Sequence, residues 1–233
     1  MFANAESTHN HCAVMRVYNL TPSQFGLSNI ALRRLKVARF NDLNDPFEML
    51  AVDVAVRDLR VGMHAKKEQI NAEEGLLCFS KDWKSPLLWS HYAEKHKGLA
   101  LAFDVPDRLL TRVHYQKGMH KISVTARSTK QKTIDRLLKR LKYTKFDGWR
   151  YEDELRRFFP LNSLDAQSGL YFVPFSKTLV LRKVILGPRC DLPIDSIRDL
   201  VEPFSPKVSV RKARPRPRGR AMVGDDGPYP DGG

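Results

Sequence analysis

The chain has 233 residues, 42% of them hydrophobic, enough for one large domain or for a domain with a tail. No run of about 18 apolar residues occurs, which argues against a transmembrane helix, and Cys12, Cys78 and Cys190, odd in number and far apart, support neither a zinc ribbon nor a disulfide framework. The formal net charge of +14 is unevenly placed: eleven Lys/Arg against two Asp in 117–150 (+9), and seven against three Asp in 207–233 (+4), leave +1 for everything else.

Basic segments of this kind either meet phosphate, on nucleic acid or an acidic partner, or simply keep the chain in solution. The first residues, MFANAESTHNHCAV, lack a basic region followed by an apolar core, so no signal peptide is expected and a reduced cytoplasmic setting fits.

In chain order, RVYNL (Arg16–Leu20) alternates weakly and reads as a first strand. SNIALRRLKV places Ile30, Leu32 and Leu35 near helical spacing, with Ser28 and Asn29 as caps. NDLNDPFEML has the form of a helix start: Asp45 at the N-cap, Pro46 at the first helical position, and Glu48 reaching back as in a capping box. GLLCFS (Gly75–Ser80) is a short apolar run after glycine and reads as a buried strand.

SPLLWSHYAEKHKG then predicts a helix from Pro86 to about Lys97, capped by Ser85 and stopped by Gly98. Trp89, Tyr92, Ala93 and His96 fall on one stripe of it. LALAFDV (Leu99–Val105) is the next strand, and RVHYQKG a further one. TKQKTIDRLLKRLKYTKF spaces Ile134, Leu137, Leu138 and Leu141 as one apolar stripe with Lys and Arg elsewhere. Such a helix either docks its stripe on the core or lies along a phosphate backbone or a membrane surface.

YFVPF and LVLRKVILG (Leu179–Gly187) read as late strands, and DLPIDSIRDLV as a short helix capped by Asp191 or Asp195. The expected organisation is a flexible N-terminus over 1–13, a single α+β domain over 14–203, and a disordered basic Arg/Pro/Gly tail over 204–233. Fingerprints for dinucleotide or P-loop phosphate binding, zinc peptidases and serine hydrolases are absent. His91 and His96, five apart, would diverge by about 140° on one helix, so they share no metal, and no metal is implied elsewhere.

YEDELRR (Tyr151–Arg157) allows two readings. On a helix its charges form a ladder of surface ion pairs. On a strand, Glu152, Glu154 and Arg156 share one face, and two carboxylates meet. Gly148 and Trp149 mark a break before this stretch, and LRRFFP ends it on Pro160, so the strand is expected.

Three stretches, RRLKVARFNDLNDPFE, GLLCFSKDWKSPLLWSHYAEKHKGLALAFD and WRYEDELR, in this order resemble the bacterial family known as domain of unknown function 2971. They also look like putative abortive-phage-resistance proteins of the AbiGi type. The resemblance spans roughly 16–188 and implies a phage-defence role, as partner of a cognate toxin or antitoxin. A more distant resemblance is to the ADP-ribosyltransferase fold, with a mixed or split antiparallel sheet and flanking helices. That fold orders a ribose- or phosphate-gripping strand, a strand ending in Ser, and a later strand carrying Glu-x-Glu.

By that resemblance, Arg16, Tyr18 and Asn19, then Ser80, then Arg156 would bind NAD as substrate, and Trp89 or Tyr92 would stack on its nicotinamide. Glu154 would hold the ribose and stabilise positive charge, and Glu152 would orient or deprotonate the acceptor, a nucleic acid or a protein. Asn19 stands where one subgroup has His. The alternative is a non-catalytic antitoxin or nucleic-acid-binding regulator that uses the basic segments 117–150 and 207–220.

Overall fold

The computed structural model describes residues 13–45, 47–49, 52–53, 57–118, 120–121, 130–217 and 220–225. It opens with β1 (Val14–Thr21), α1 (Ser23–Ala31), β2 (Arg34–Val37) and the two-residue β3 (Val52–Asp53). The helix α2 (Arg57–Glu73) runs directly into β4 (Glu74–Ser80), and α3 (Pro86–Tyr92) leads to β5 (Leu99–Pro106). Short strands β6 (Thr111–Arg112), β7 (His114–Gln116) and β8 (His120–Lys121) precede α4 (Lys130–Leu141) and β9 (Thr144–Phe146). The chain continues through β10 (Glu154–Pro160), β11 (Tyr171–Pro174), β12 (Val180–Leu186), α5 (Ile194–Val201), β13 (Ser209–Pro215) and β14 (Met222–Asp225).

Eight of these strands form one sheet in the order β14-β13-β12-β5-β1-β4-β10-β6, antiparallel except for the parallel pair β12–β13. β5 is its centre, and it is buried on both faces: Leu99 to Phe103 are all 0% exposed. That explains why LALAFDV reads as a continuous apolar run rather than an alternating one. Val17, Leu101, Phe103 and Val184 pack on one side. Trp89, Ala93, Ala100 and Ile185 pack on the other. A separate cluster under α4 gathers Phe40, Met63, Leu76 and the stripe Ile134, Leu137, Leu138 and Leu141. The amphipathic α4 therefore docks on the core.

Several expectations are corrected. The helix placed on SNIALRRLKV lies earlier, with Ser28 and Asn29 inside α1. Arg33 then turns left-handed at φ 47°, and Leu35 and Val37 alternate inward on β2. No helix follows Asp45 among the described residues there. Asp45 accepts the Phe47 amide (2.9 Å), Glu48 N–H bonds back to Asp45 (3.0 Å), and Met49 ends this turn at φ 61°. α3 stops at Tyr92, short of Lys97, because Glu94, Lys95 and His96 all have positive φ. Its Ser85 makes no side-chain cap bond. α5 begins after Pro193, with neither Asp191 nor Asp195 at the cap position. The seventeen-residue α2 lies where no element was expected.

The largest correction is at the C-terminus. Residues 204–217 and 220–225 are not a disordered tail. β13 pairs in parallel with β12 from Lys183↔Ser209 to Leu186↔Lys212, and β14 pairs with β13. Val208, Ala213 and Met222 are 5%, 1% and 5% exposed. Sparse apolar residues at the right register are enough, because the ladder and the neighbouring strand supply the rest. Residues 1–12 and 226–233 lie outside the described residues.

Candidate active site

β1 and β4 are paired at one position, Tyr18↔Ser80, whereas β1 pairs with β5 over eight positions and β10 pairs with β4 over seven. Beyond that single pair the two strands part, and a cleft of about 260 Å³ opens between them. This is near the low end of ligand-pocket sizes. Tyr18, Asn19 and Leu20 line one wall and Leu76 to Ser80 the other, with Tyr92, Lys145, Glu152 and Glu154 also facing it. Asn19 spans the gap by donating to the Cys78 carbonyl (3.2 Å).

The two glutamates converge, though not as a single strand face. Asp147–Glu152 is a 3-10 turn, closed by the Asp153 amide on Arg150 O (3.2 Å). Asp153 then takes left-handed backbone at φ 40°, a conformation that Asp tolerates better than most residues. β10 begins at Glu154, so only Glu154 and Arg156 share its face. What joins Glu152 to Glu154 is a lysine: Lys145 Nζ lies 2.6 Å from Glu152 and 3.3 Å from Glu154. Tyr92 donates its hydroxyl to the other oxygen of Glu152. Ser80 donates to the Glu152 carbonyl (2.6 Å), so the β4 end fixes the backbone that carries the carboxylate.

Behind this pair, Arg156 grips Glu154 (2.9 and 3.1 Å) and forks onto Glu48 (2.6 and 3.0 Å). It also donates to Lys142 O at 2.8 Å. The side chains of Glu48, Lys145, Glu152, Glu154 and Arg156 are all at most 6% exposed. Three carboxylates against two cations give the cluster one surplus negative charge when all are ionised. Burial opposes ionisation of Glu154, but the Arg156 guanidinium and Lys145 ammonium outweigh it and pull its carboxyl down to about 2. At Glu152 burial wins, and the carboxyl is held above its ordinary value despite Lys145. Burial likewise raises Glu48. Burial raises the Cys78 thiol too, helped by the Glu154 carboxylate that accepts its hydrogen bond. Two neighbouring carboxylates thus have proton affinities pushed in opposite directions, which is the usual arrangement where one acts as acid or base and the other as a fixed anion.

Of the expected site residues, Tyr18, Asn19, Ser80, Tyr92, Glu152 and Glu154 meet at this cleft. Three are elsewhere. Trp89 is fully buried against Ala100, Ile185 and Met222, its indole N–H donating to Trp83 O (2.7 Å), so it cannot stack on a ligand. Arg156 is 0% exposed and saturated by carboxylates and a carbonyl, so it holds the site together and reaches no phosphate. Arg16 is committed to Asp104, which Arg182 also binds (2.6 Å). Tyr92 serves by holding Glu152.

Two members of the cluster were not anticipated. Lys145 is one of eleven basic residues in its segment, and nothing local singles it out. Glu48 reads as part of a helix cap, yet its carboxylate turns away to Arg156. No protein-family model matches this chain, and no curated protein or solved structure matches it significantly.

Proposed function

We propose that the cleft is a glycosyl-transfer site of ADP-ribosyltransferase type, acting on NAD in phage defence. The observation that carries this reading is the Glu152–Lys145–Glu154 arrangement at the mouth of a split sheet, with its two carboxylates displaced in opposite directions. In the proposed reaction the bond between the ribose anomeric carbon and the nicotinamide nitrogen breaks. The electron pair leaves with nicotinamide, which departs neutral. Positive charge builds on the ribose ring as this happens, and the surplus negative charge of the cluster, anchored at Glu154, favours it.

The acceptor's nucleophilic atom then bonds to the anomeric carbon and gives its proton to Glu152. A carboxylate held at raised proton affinity is the better base of the two. Tyr18 and Asn19 line the facing wall, and in this reading they contact the substrate.

The test is nicotinamide release from NAD and transfer of labelled ADP-ribose. Glu152→Gln keeps the shape of the side chain and removes the base. Transfer should fall by about 10²–10⁴-fold with the fold intact by circular dichroism. Equal transfer by wild type and Glu152→Gln would remove this site from the chemistry.

A further inference from the structure

Beside Glu152 lies a group of rings that the transfer reaction does not use. The exposed His91 stacks on Tyr151 with ring centroids 5.9 Å apart and planes 28° apart. Trp149 meets both, at 6.1 Å from each. Trp149 and Tyr151 are half-buried, so ring surface remains open to solvent. The group is fixed to the site on two sides: Tyr151 precedes Glu152 in the chain, and His91 precedes Tyr92, which bonds Glu152.

Cations border these rings. Lys145 Nζ lies 5.0 Å from the Trp149 ring, and Arg150 stands between Trp149 and Tyr151 in the chain. Arg150 and Arg112 are 63% and 55% exposed, and their partners Asp147 and Asp153 are 23% and 49% exposed. Pairs this open to solvent contribute little and exchange readily for another anion. A two-residue turn after α4 leads into β9 and this 3-10 turn. The exposed side of α4 carries Lys132, Arg136, Lys139 and Arg140 against Asp135. Solvent-open rings joined through β9 to a basic helix match what an unpaired strand offers, bases with π-faces on a phosphate backbone.

We propose that His91, Trp149 and Tyr151 form a stacking platform for the bases of a single-stranded nucleic acid, whose backbone runs along Arg150 and the basic side of α4. On the transferase reading, which this inference rests on for its biological meaning, the platform presents an acceptor to Glu152. A duplex keeps its bases stacked inside and has nothing to offer these rings.

The experiment is fluorescence anisotropy of the full chain with a short labelled strand of mixed sequence, as DNA and as RNA. Wild type binds one or both, and comparison of the two identifies the source. Affinity should fall on a log–log plot against salt with a slope of roughly 0.7 per phosphate contacted. Trp149→Ala with Tyr151→Ala should weaken binding by about 10-fold or more. Trp149→Phe with Tyr151→Phe, which keeps the rings, should restore most of it. No binding at low salt, equal binding of duplex and single strand, equal competition by poly-glutamate, or no effect of the alanine pair on a folded chain would each overturn the platform.

Glu152→Gln separates the two proposals, because it should lose transfer and keep strand binding. Strand binding without any NAD turnover in wild type would leave the platform standing and remove the transferase reading. Turnover without strand binding would do the reverse.

Discussion

Lys145 is the residue on which the candidate site turns. Its ammonium is buried and bridges the two carboxylates that the proposed reaction uses. Lys145→Met keeps the stem and removes the charge, leaving Glu152 and Glu154 to repel each other in a dry site. Breaking a buried pair in this way costs about 3–5 kcal/mol, so urea unfolding should show a loss of that size. A change within error of zero would mean that water already screens the pair. Glu154 makes a prediction of opposite character. Its folded value of about 2 lies below the ordinary 4.5, so its ionisation favours the fold. That contribution, about 3 kcal/mol, is complete above roughly pH 4.5 and is lost as pH falls toward about 2. Glu48 and Glu152, raised by burial, favour the fold while protonated, and their contribution fades as pH rises through their folded values. Wild type should therefore lose stability on acidification more steeply than Glu154→Gln, measured as urea midpoints across that range. Identical slopes would mean that Glu154 is not held ionised.

Among the elements, α3 is set by what ends it. Three successive left-handed residues, Glu94 to His96, turn the chain back, and Gly98 then passes so close to β1 that a Cβ would sit 2.2 Å from Thr21 O. The same loop is clamped from the other side, where Gly187 N–H bonds Gly98 O (2.9 Å). Gly98→Ala has no flexible side chain to push aside, only backbone. It should cost about 1–3 kcal/mol and move α3, and with it Tyr92, away from Glu152. Thermal unfolding with the transfer assay checks both parts. A stable, fully active Gly98→Ala chain would show that the α3 end is free to shift. The strand break at Asp153 works at the same scale. Local pattern made YEDELRR a strand, but the 3-10 turn before it extends through Glu152, and one left-handed residue brings the two glutamates together.

For the whole molecule, the decisive feature is a sheet that is continuous from β14 to β6 yet joined at its middle by one pair of residues, Tyr18 and Ser80. The cleft exists because each half is completed elsewhere, β1 by β5 and β4 by β10. The β13–β14 hairpin finishes the first half. Deleting 204–233 would expose the flank of β12 and remove Val208, Ala213 and Met222 from the core. At about 1.5–3 kcal/mol for each large buried apolar side chain, several kcal/mol should go. The truncated chain should unfold at a markedly lower denaturant midpoint. An unchanged midpoint would restore the description of this segment as a tail.

What local sequence determined is what local chemistry can encode. β1 alternates weakly, and β4, β5 and β12 are apolar runs with turn signals around them. The α4 stripe is a 3.6-residue period, and the Pro86 start of α3 is a fixed φ. The spacing in YEDELRR singled out two carboxylates that line the same cleft. Tertiary structure alone decided the rest. Whether Arg16, Trp89 and Arg156 face a ligand depends on which neighbour reaches each first, and those neighbours, Asp104, Trp83 and Glu48, lie 88, 6 and 108 residues away. The C-terminal strands looked like a tail because so few of their own residues are apolar, and it is the β12 edge that gives them a ladder to join. Lys145 has no local mark at all: a lysine becomes a buried bridge only when two strands and a turn have closed around it.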